Sequence, residues 1–126
     1  MGSFKSFEEI GAWQDARLLS KQVYQITLQG GWARDFSFRD QIRRAAISVV
    51  SNIAEGFDRD GNVEFRRFLT IAKGSAGEVK AQLYVALDIG YIDDTVFKET
   101  YELADKTSRM IGGLIKYLQA YTAKNA

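Results

Sequence analysis

The chain has 126 residues, the size of one ordinary domain, and 46% of its residues are hydrophobic against 26% charged, a balance that excludes a disordered chain. It contains no cysteine, histidine or proline, which excludes disulfides, thiol and imidazole nucleophiles and the usual zinc ligands, and favours long uninterrupted helices. The net charge of +1 excludes a surface that is basic throughout, so any contact with nucleic acid must use a local patch.

The first half of the chain has the periodicity of two amphipathic helices. Ser6 and Glu9 have the spacing of a capping box, which predicts a first helix over 6–29 that ends at two glycines. Ser37 is the expected N-cap of a second helix over 37–57. The apolar residues expected on the inner faces are Ala12, Ala16, Leu19, Val23 and Ile26, and then Ile42, Ala46, Val49 and Ile53.

The second half of the chain also has the periodicity of two amphipathic helices. Asn62 is the expected N-cap of a third helix over 62–89, and Gly90 follows it as a C′ glycine. Asp93 or Asp94 then caps a fourth helix over 94–121. Their inner faces are Phe65, Phe68, Leu69, Ala72, Ala76, Val79, Leu83, Ala86 and Leu87, and then Phe97, Tyr101, Ala104, Ser108, Ile111, Ile115 and Leu118.

Four such helices joined by short loops predict an all-α fold. A short loop cannot carry the chain back along a helix of 20 residues or more, so the helices must alternate in direction. We therefore expect one domain over 1–126, an antiparallel up-down-up-down four-helix bundle. The chain opens with no long apolar stretch, which predicts a cytoplasmic protein with no membrane partner.

Three of the predicted helices have more apolar surface than the inner face of a monomeric bundle requires. The extra residues are Ile47, Val50 and Ala54 on the second helix, Thr70, Gly74, Gly77, Ala81 and Val85 on the third, and Leu103, Met110, Leu114, Tyr117 and Tyr121 on the fourth. A monomer with generous apolar faces is one interpretation. We favour contacts between copies in a homo-oligomer, with the candidate interface at Ile47, Val50, Ala54, Gly74, Gly77, Ala81 and Val85.

Two polar stripes are candidate binding surfaces. Arg44, Ser48, Ser51 and Glu55, with Asn52 beside them, share one face of the second helix, which is typical of a solvated face or of hydrogen bonds between helices, or else of a ligand surface. Arg66, Lys73 and Lys80 recur every seven residues on the third helix, with Arg59 before them. They either extend past the core to solvent or form a ridge that contacts phosphates.

Familiar catalytic motifs are missing. The turn after Gly56 has Asn62-Val63 where a phosphate-binding loop needs Lys followed by Ser or Thr, and Arg67 stands where a calcium loop needs its closing acid. Three acids could pair for acid-base catalysis: Glu55, Glu64 and Glu78. A small bundle offers them little concavity. We predict no catalytic residue, no cofactor and no metal site, and an enzyme using Glu55 and Glu78 stays as the minority alternative.

Several runs of residues carry a resemblance to a known family. They are Gln41-Ile42-Arg43-Arg44-Ala45-Ala46-Ile47-Ser48-Val49, Asn52-Ile53-Ala54-Glu55-Gly56, Glu64-Phe65-Arg66-Arg67-Phe68-Leu69-Thr70-Ile71-Ala72-Lys73-Gly74-Ser75, Glu78, Gln82-Leu83 and Gly90-Tyr91-Ile92. The chain resembles the bacterial four-helix-bundle proteins first met as open reading frames in intervening sequences of 23S ribosomal RNA. The resemblance covers essentially the whole chain.

The resemblance implies a cytosolic homopentamer of four-helix protomers with no established catalytic activity. Relatives include the accessory protein of diversity-generating retroelements, which resembles a basic pentamer that binds nucleic acid and a reverse transcriptase. Family-motif residues with an expected structural role are Asn52, Glu55, Gly56, Gly74, Ser75 and Glu78. We expect Glu55 to accept hydrogen bonds from an arginine or from backbone amides, and its loss to cost about 1–3 kcal/mol of stability.

Two functions remain open. The leading hypothesis is a non-enzymatic homo-oligomer that binds RNA, or a nucleic-acid-handling protein, through local basic patches. The candidate residues for nucleic-acid binding are Arg43, Arg44, Arg59, Arg66, Arg67, Lys73 and Lys80. The alternative is a module that binds only protein, including copies of itself. A binding affinity that falls steeply with rising salt concentration would favour the nucleic-acid hypothesis over the protein-binding alternative.

Overall fold

The computed structural model describes residues 4–125, with side chains as far as residue 121. This part of the chain contains four α-helices and no strand. They are α1 (Gly11–Ile26), α2 (Phe36–Phe57), α3 (Asn62–Asp88) and α4 (Asp94–Asn125), with short 3-10 helices at Phe7–Glu9 and Gly30–Ala33. Residues 1–3, on which the expectation about a leader segment partly depends, lie outside the described residues.

The first α-helix is shorter than the predicted 6–29. The Ser6 side chain makes no capping hydrogen bond, and Glu9 instead accepts one from the Lys5 backbone N–H, at 3.2 Å. Ile10 has extended backbone angles and is 1% exposed, so burial of this side chain in the core breaks the helical path. At the other end, the Thr27 hydroxyl donates to the carbonyl oxygen four residues earlier, at 2.8 Å, one residue after α1 ends.

The second helix ends at Phe57 as predicted, but Ser37 is not its N-cap. Asp35 is the N-cap, and one of its carboxylate oxygens accepts from the Phe38 backbone N–H at 3.2 Å. Its other oxygen accepts from the Tyr91 hydroxyl at 2.9 Å. Because Tyr91 holds Asp35 from a distant part of the chain, the helix begins earlier than the local sequence suggests.

The third helix matches its predicted range to within one residue. Its N-cap is Gly61, with φ +87°, so Asn62 is the first helical residue rather than the cap. Gly90 has φ +79° and is the predicted C′ glycine. The Tyr91 backbone N–H donates to the Ala86 carbonyl at 2.9 Å, the bond that closes this kind of helix end.

The fourth helix is capped by Asp93, whose carboxylate accepts from the Val96 backbone N–H at 2.9 Å. It runs to Asn125, so residues 122–125 extend the helix beyond the predicted end at 121. Thr100 and Thr107 are fully buried, whereas three predicted inner residues, Phe97, Tyr101 and Ile115, are half-buried. The threonines are tolerated because their hydroxyls are bonded: Thr107 donates to the Leu103 carbonyl at 2.8 Å, and Thr100 accepts from the Gln22 amide at 3.3 Å.

The helices form the predicted bundle. α1 and α3 each pack against both α2 and α4. Among the described residues no Cα atoms of α1 and α3, or of α2 and α4, lie within 8 Å of each other, so each of these pairs occupies a diagonal of the bundle. The antiparallel up-down-up-down four-helix bundle is confirmed. No helix in the described part of the chain is both long and apolar enough to cross a membrane.

The core consists of two apolar clusters stacked along the bundle axis. One surrounds Val49, Leu69 and Ile111, and the other surrounds Ile42 and Leu83. Buried polar residues lie near the boundary between the clusters: Asp15, Thr107 and Ser108. The same level of the bundle holds a polar groove between α2 and α3.

Candidate functional site

A polar groove runs between α2 and α3 at mid-height. The hydroxyls of Ser48 and Ser75 share a hydrogen bond of 2.9 Å across the two helices. The Asn52 amide donates to the Ser48 carbonyl at 2.9 Å and to the Ser48 hydroxyl at 3.0 Å. Part of the predicted polar stripe of α2 therefore stitches two helices together, while Ser51 remains exposed to solvent.

Charged side chains of both signs line the same groove, which has a volume of about 330 Å³. Arg44 and Gln41 contribute from α2, and Glu78 contributes from α3. Neither Arg44 nor Glu78 takes part in an ion pair within 4.0 Å among the described residues. The groove can thus offer a guanidinium and a carboxylate to a partner.

Glu55, the other acid of the enzyme hypothesis, lies elsewhere. Its carboxylate accepts a hydrogen bond from Arg59 at 2.8 Å, and its side chain is 51% exposed. Ser48 and Ser75 lie side by side on the two antiparallel helices. Glu55 is seven residues after Ser48 on α2, and Glu78 is three residues after Ser75 on α3, so the two acids lie in opposite directions from this level. At 1.5 Å per residue they are about 15 Å apart along the bundle axis. The two carboxylates do not converge on one pocket. The expected hydrogen bond from an arginine to Glu55 is present. Because an exposed pair of this kind is worth less than about 1 kcal/mol, we lower the predicted cost of losing Glu55 from about 1–3 kcal/mol to below about 1 kcal/mol.

Arg43 is a structural residue in this fold. Its Nε donates to the Thr27 hydroxyl at 2.9 Å, and its guanidinium lies over the Tyr24 ring at 4.5 Å from the ring centre. These contacts connect α2 to the end of α1. Because its guanidinium is already bonded within the protomer, Arg43 is poorly placed to contact phosphate.

Three more of the candidate cations are paired with acids. Arg59 bonds Glu55, and Arg67 bonds Glu64 at 2.9 Å on the same helix. Lys80 donates to Asp105 on α4 at 2.9 Å. The hydrogen bond from the lysine lowers the pKa of the Asp105 carboxyl, and the bond from Arg67 likewise lowers the pKa of Glu64. Their charges are largely neutralised within the protomer.

The predicted basic stripe on α3 lies along its border with α4. Lys80 reaches Asp105 there, and the stem of Lys73 lies close to Gly112 of α4. Arg66 is half-buried, and its Nε is buried with no hydrogen-bond partner among the described residues. This arrangement matches the interpretation of long side chains that extend past the core. Of the seven candidates, the side chains of Arg44, Arg66 and Lys73 make neither an ion pair nor a hydrogen bond within the described part of the chain.

The predicted interface residues lie on two different sides of the bundle. Thr70 and the candidates Gly74, Gly77, Ala81 and Val85 are exposed, and they follow the side of α3 opposite its core residues. On α2, Ile47 is 42% exposed, but Val50 and Ala54 are half-buried, and Val50 packs on the core cluster that also carries Trp13 of α1. On α4, Met110, Tyr117 and Tyr121 are exposed, whereas Leu103 and Leu114 are half-buried.

A groove on α1 is absent from the sequence-based candidates. It has a volume of about 370 Å³ and is lined by Trp13, Gln14, Arg17, Leu18 and Lys21. The periodicity of α1 predicts its inner face but gives no information about a groove on its outer face. The available signal was Leu18, an apolar residue outside the inner stripe and flanked by cations.

The described residues hold no group of three or more acids that could bind a metal ion. The two grooves offer hydrogen-bonding groups, charged groups and apolar side chains. These are the means by which proteins bind one another or bind nucleic acid.

Comparison with known proteins identifies the family. Residues 8–113 match the family model described as 23S rRNA-intervening sequence protein. The chain belongs to this family. A crystal structure from Bacteroides thetaiotaomicron, a protein of unknown function from the S23 ribosomal protein family, superimposes with a TM-score of 0.77 at 18% sequence identity. The match covers 83% of this chain and 98% of that chain, and at this identity it shows the shared fold. No curated protein matches the chain.

In this member of the 23S rRNA-intervening sequence protein family, the family-motif residues have distinct positions. Asn52 and Ser75 join α2 to α3 through Ser48, and Glu78 lines the groove. Gly56 is buried where α2 crosses the phenylalanines of α3. Glu55 and Gly74 face outward.

Proposed function

We propose that the protein is a non-catalytic homo-oligomeric assembly module that acts in the cytoplasm. The observation that carries this proposal is the outer side of α3, where small residues form a strip with large apolar side chains beside it. Val63 is 63% exposed, Tyr84 51%, Val85 48% and Ile71 43%. Apolar surface that is continuous along a helix is a common mark of protein–protein contact.

The small residues on α3 favour close contact with another copy. A Cβ atom built at Gly74 or at Gly77 meets nothing within 4 Å, so the space outside α3 is open at both positions. Helices can approach each other closely where such residues meet. Five copies is the number that the family resemblance implies.

The distribution of cations supports assembly over general binding to nucleic acid. Four of the seven candidate basic residues bond to other groups of the same protomer. Three cations per protomer would give weak contact with phosphates at physiological salt, because each neutralised phosphate adds a salt slope of only about −0.7 to −0.9. RNA is the second candidate, favoured by Arg44, Arg66 and Lys73, which multiple copies would present together.

Light scattering tests the assembly proposal. At micromolar concentration we expect a mass several times 14.2 kDa, with fivefold as the specific expectation. Ala81→Lys should lower the mass, because it puts a charge on the outer side of α3. Ala120→Lys, the same change at an exposed site on α4, is the control and should not lower it. A wild-type protein that is monomeric throughout would refute the proposal.

RNA binding is tested by titrating one long structured RNA and one short oligonucleotide at low and at moderate salt. Multivalent contact predicts that only the long RNA binds well, and that Lys73→Glu weakens it. If the long RNA does not bind even at low salt, RNA ceases to be a candidate, and the assembly proposal is unaffected.

A further inference from the structure

The groove on α1 has the features of an unfilled docking surface. Leu18 is 53% exposed at the groove, and Arg17 lies over the Trp13 ring at 5.9 Å from its centre. The indole Nε1 of Trp13 is buried with no acceptor among the described residues, and unsatisfied buried donors are uncommon in native proteins. Neither Arg17 nor Lys21 has an ion-pair partner within 4.0 Å in the described part of the chain.

The outer side of α3 has the complementary features. Where the α1 groove presents large apolar side chains, α3 presents Gly74, Gly77 and Ala81. Where the groove carries two cations, the second half of α3 carries the exposed acids Glu78 and Asp88, which form no ion pair among the described residues. Large groups against small ones, and cations against acids, are the two kinds of complementarity that specific interfaces combine.

We propose that the α1 groove of one copy receives the outer side of α3 of a second copy. This inference rests on the proposed function, since it specifies which surfaces join the copies. α1 and α3 occupy a diagonal of the bundle, with no Cα atoms within 8 Å of each other. The α1 groove and the outer side of α3 are therefore different surfaces on separate sides of one protomer, so copies that pair them join head-to-tail. Each added copy leaves one α1 groove and one α3 surface unpaired until the copies close into a ring.

Charge argues against the symmetric alternatives. Two copies joined through their α1 grooves would bring Arg17 and Lys21 of both copies together. Two copies joined through α3 would bring Glu78 and Asp88 of both together. Like charges that face each other across an interface suppress the pairing, whereas the α1-to-α3 arrangement matches opposite charges.

Mixing two variants tests this arrangement. Leu18→Glu damages only the α1 groove, and Ala81→Trp damages only α3 because it puts a bulky side chain among the small residues. Both positions are exposed, so each variant should keep the helical circular-dichroism spectrum of the wild type. Each variant alone should be monomeric in light scattering. An equimolar mixture retains one intact junction and should give a heterodimer of twice 14.2 kDa. The other junction would have to join the two altered surfaces, so the mixture cannot grow further.

The outcomes separate the two proposals. A wild type that assembles, with a mixture of variants that stays monomeric, overturns the α1-to-α3 pairing and leaves the assembly proposal standing. A monomeric wild type overturns both. A variant that alone keeps the wild-type mass also overturns the pairing, because its altered surface is then not at the junction.

Cysteine cross-linking provides a second measurement that does not depend on disrupting assembly. The chain has no cysteine, so introduced thiols can react only with each other. A mixture of Leu18→Cys and Ala81→Cys proteins should give a disulfide-linked heterodimer on mild oxidation, since a disulfide needs Cα atoms about 4.4–6.8 Å apart. Leu18→Cys mixed with Ala120→Cys should not. A disulfide homodimer from Leu18→Cys alone, with none in the first mixture, would overturn the pairing.

Discussion

Gly56 lies at a close contact between α2 and α3 and allows a sharp test of the packing. A Cβ atom at this position would lie 2.5 Å from the Phe68 Cβ and 3.1 Å from the Phe65 Cδ1. The first of these atoms is next to the backbone of α3, so a rotamer change cannot move it away. Gly56→Ala should therefore force the two helices apart, in spite of the better helix propensity of alanine.

The expected change in the free energy of unfolding for Gly56→Ala is the sum of two opposing contributions. Replacing a helical glycine by alanine favours folding by about 0.5–1 kcal/mol. Overpacking a filled core costs about 1–3 kcal/mol. For Gly56→Ala we expect a net loss of about 1–2 kcal/mol, equivalent to a fall in melting temperature of roughly 3–10 °C for a domain of this size.

Gly113→Ala is the matched control, because a Cβ atom there meets nothing within 4 Å. It should raise the free energy of unfolding by about 0.5–1 kcal/mol. The assay is urea or thermal unfolding followed by circular dichroism, at one protein concentration, because assembly makes stability depend on concentration. If Gly56→Ala is as stable as Gly113→Ala, the close contact between α2 and α3 is wrong.

Three further substitutions test individual side-chain contacts by urea unfolding. Arg43→Ala should lower the free energy of unfolding by about 1–2 kcal/mol, because it loses the bond to Thr27 and the ring contact, and an unchanged urea midpoint would contradict the structural role. Glu55→Ala should cost less than about 0.5 kcal/mol, the value for an exposed pair one helical turn apart, and a loss above about 1 kcal/mol would show that the carboxylate has a stronger partner. The hydrogen bond from Lys80 lowers the pKa of Asp105, so this carboxylate stabilises the fold above its ordinary pKa of about 3.9, and the effect is lost as the pH falls through the lower value of the folded state. Between about pH 5 and 2 the wild type should therefore lose more stability than Asp105→Asn, and parallel curves for the two proteins would contradict this.

The helices could be predicted because their signals are local. A period of 3.6 residues places Leu69, Ala72 and Ala76 on one face whatever α3 packs against, and all three are buried. Gly90 ends α3 because a C′ residue needs a positive φ, which glycine adopts at little cost. With short loops and no strand pattern, the bundle topology then followed from helix length alone.

The candidate site was predictable in part. The spacing of Ser48 and Asn52 indicated one polar face, and one interpretation of it was hydrogen bonding between helices, which the bond between the Ser48 and Ser75 hydroxyls bears out. The sequence could not reveal that Arg44 and Glu78 line the same groove, because the relative register of α2 and α3 depends on how their side chains interlock. The groove on α1 was missed for a similar reason, since its volume exists only between packed side chains.

The remaining features depend on contacts between residues that are distant in the chain. Asp35 rather than Ser37 caps α2 because Tyr91, on the loop between α3 and α4, donates to the aspartate. Arg43 looked like a phosphate ligand in the sequence, yet in the folded chain it bonds Thr27. The sequence by itself determined which segments are helical and which face of each is apolar, because both are properties of neighbouring residues. Only the tertiary structure decided which polar side chains are already satisfied within the protomer and which remain free for a partner, because that depends on the groups that folding brings within hydrogen-bond distance.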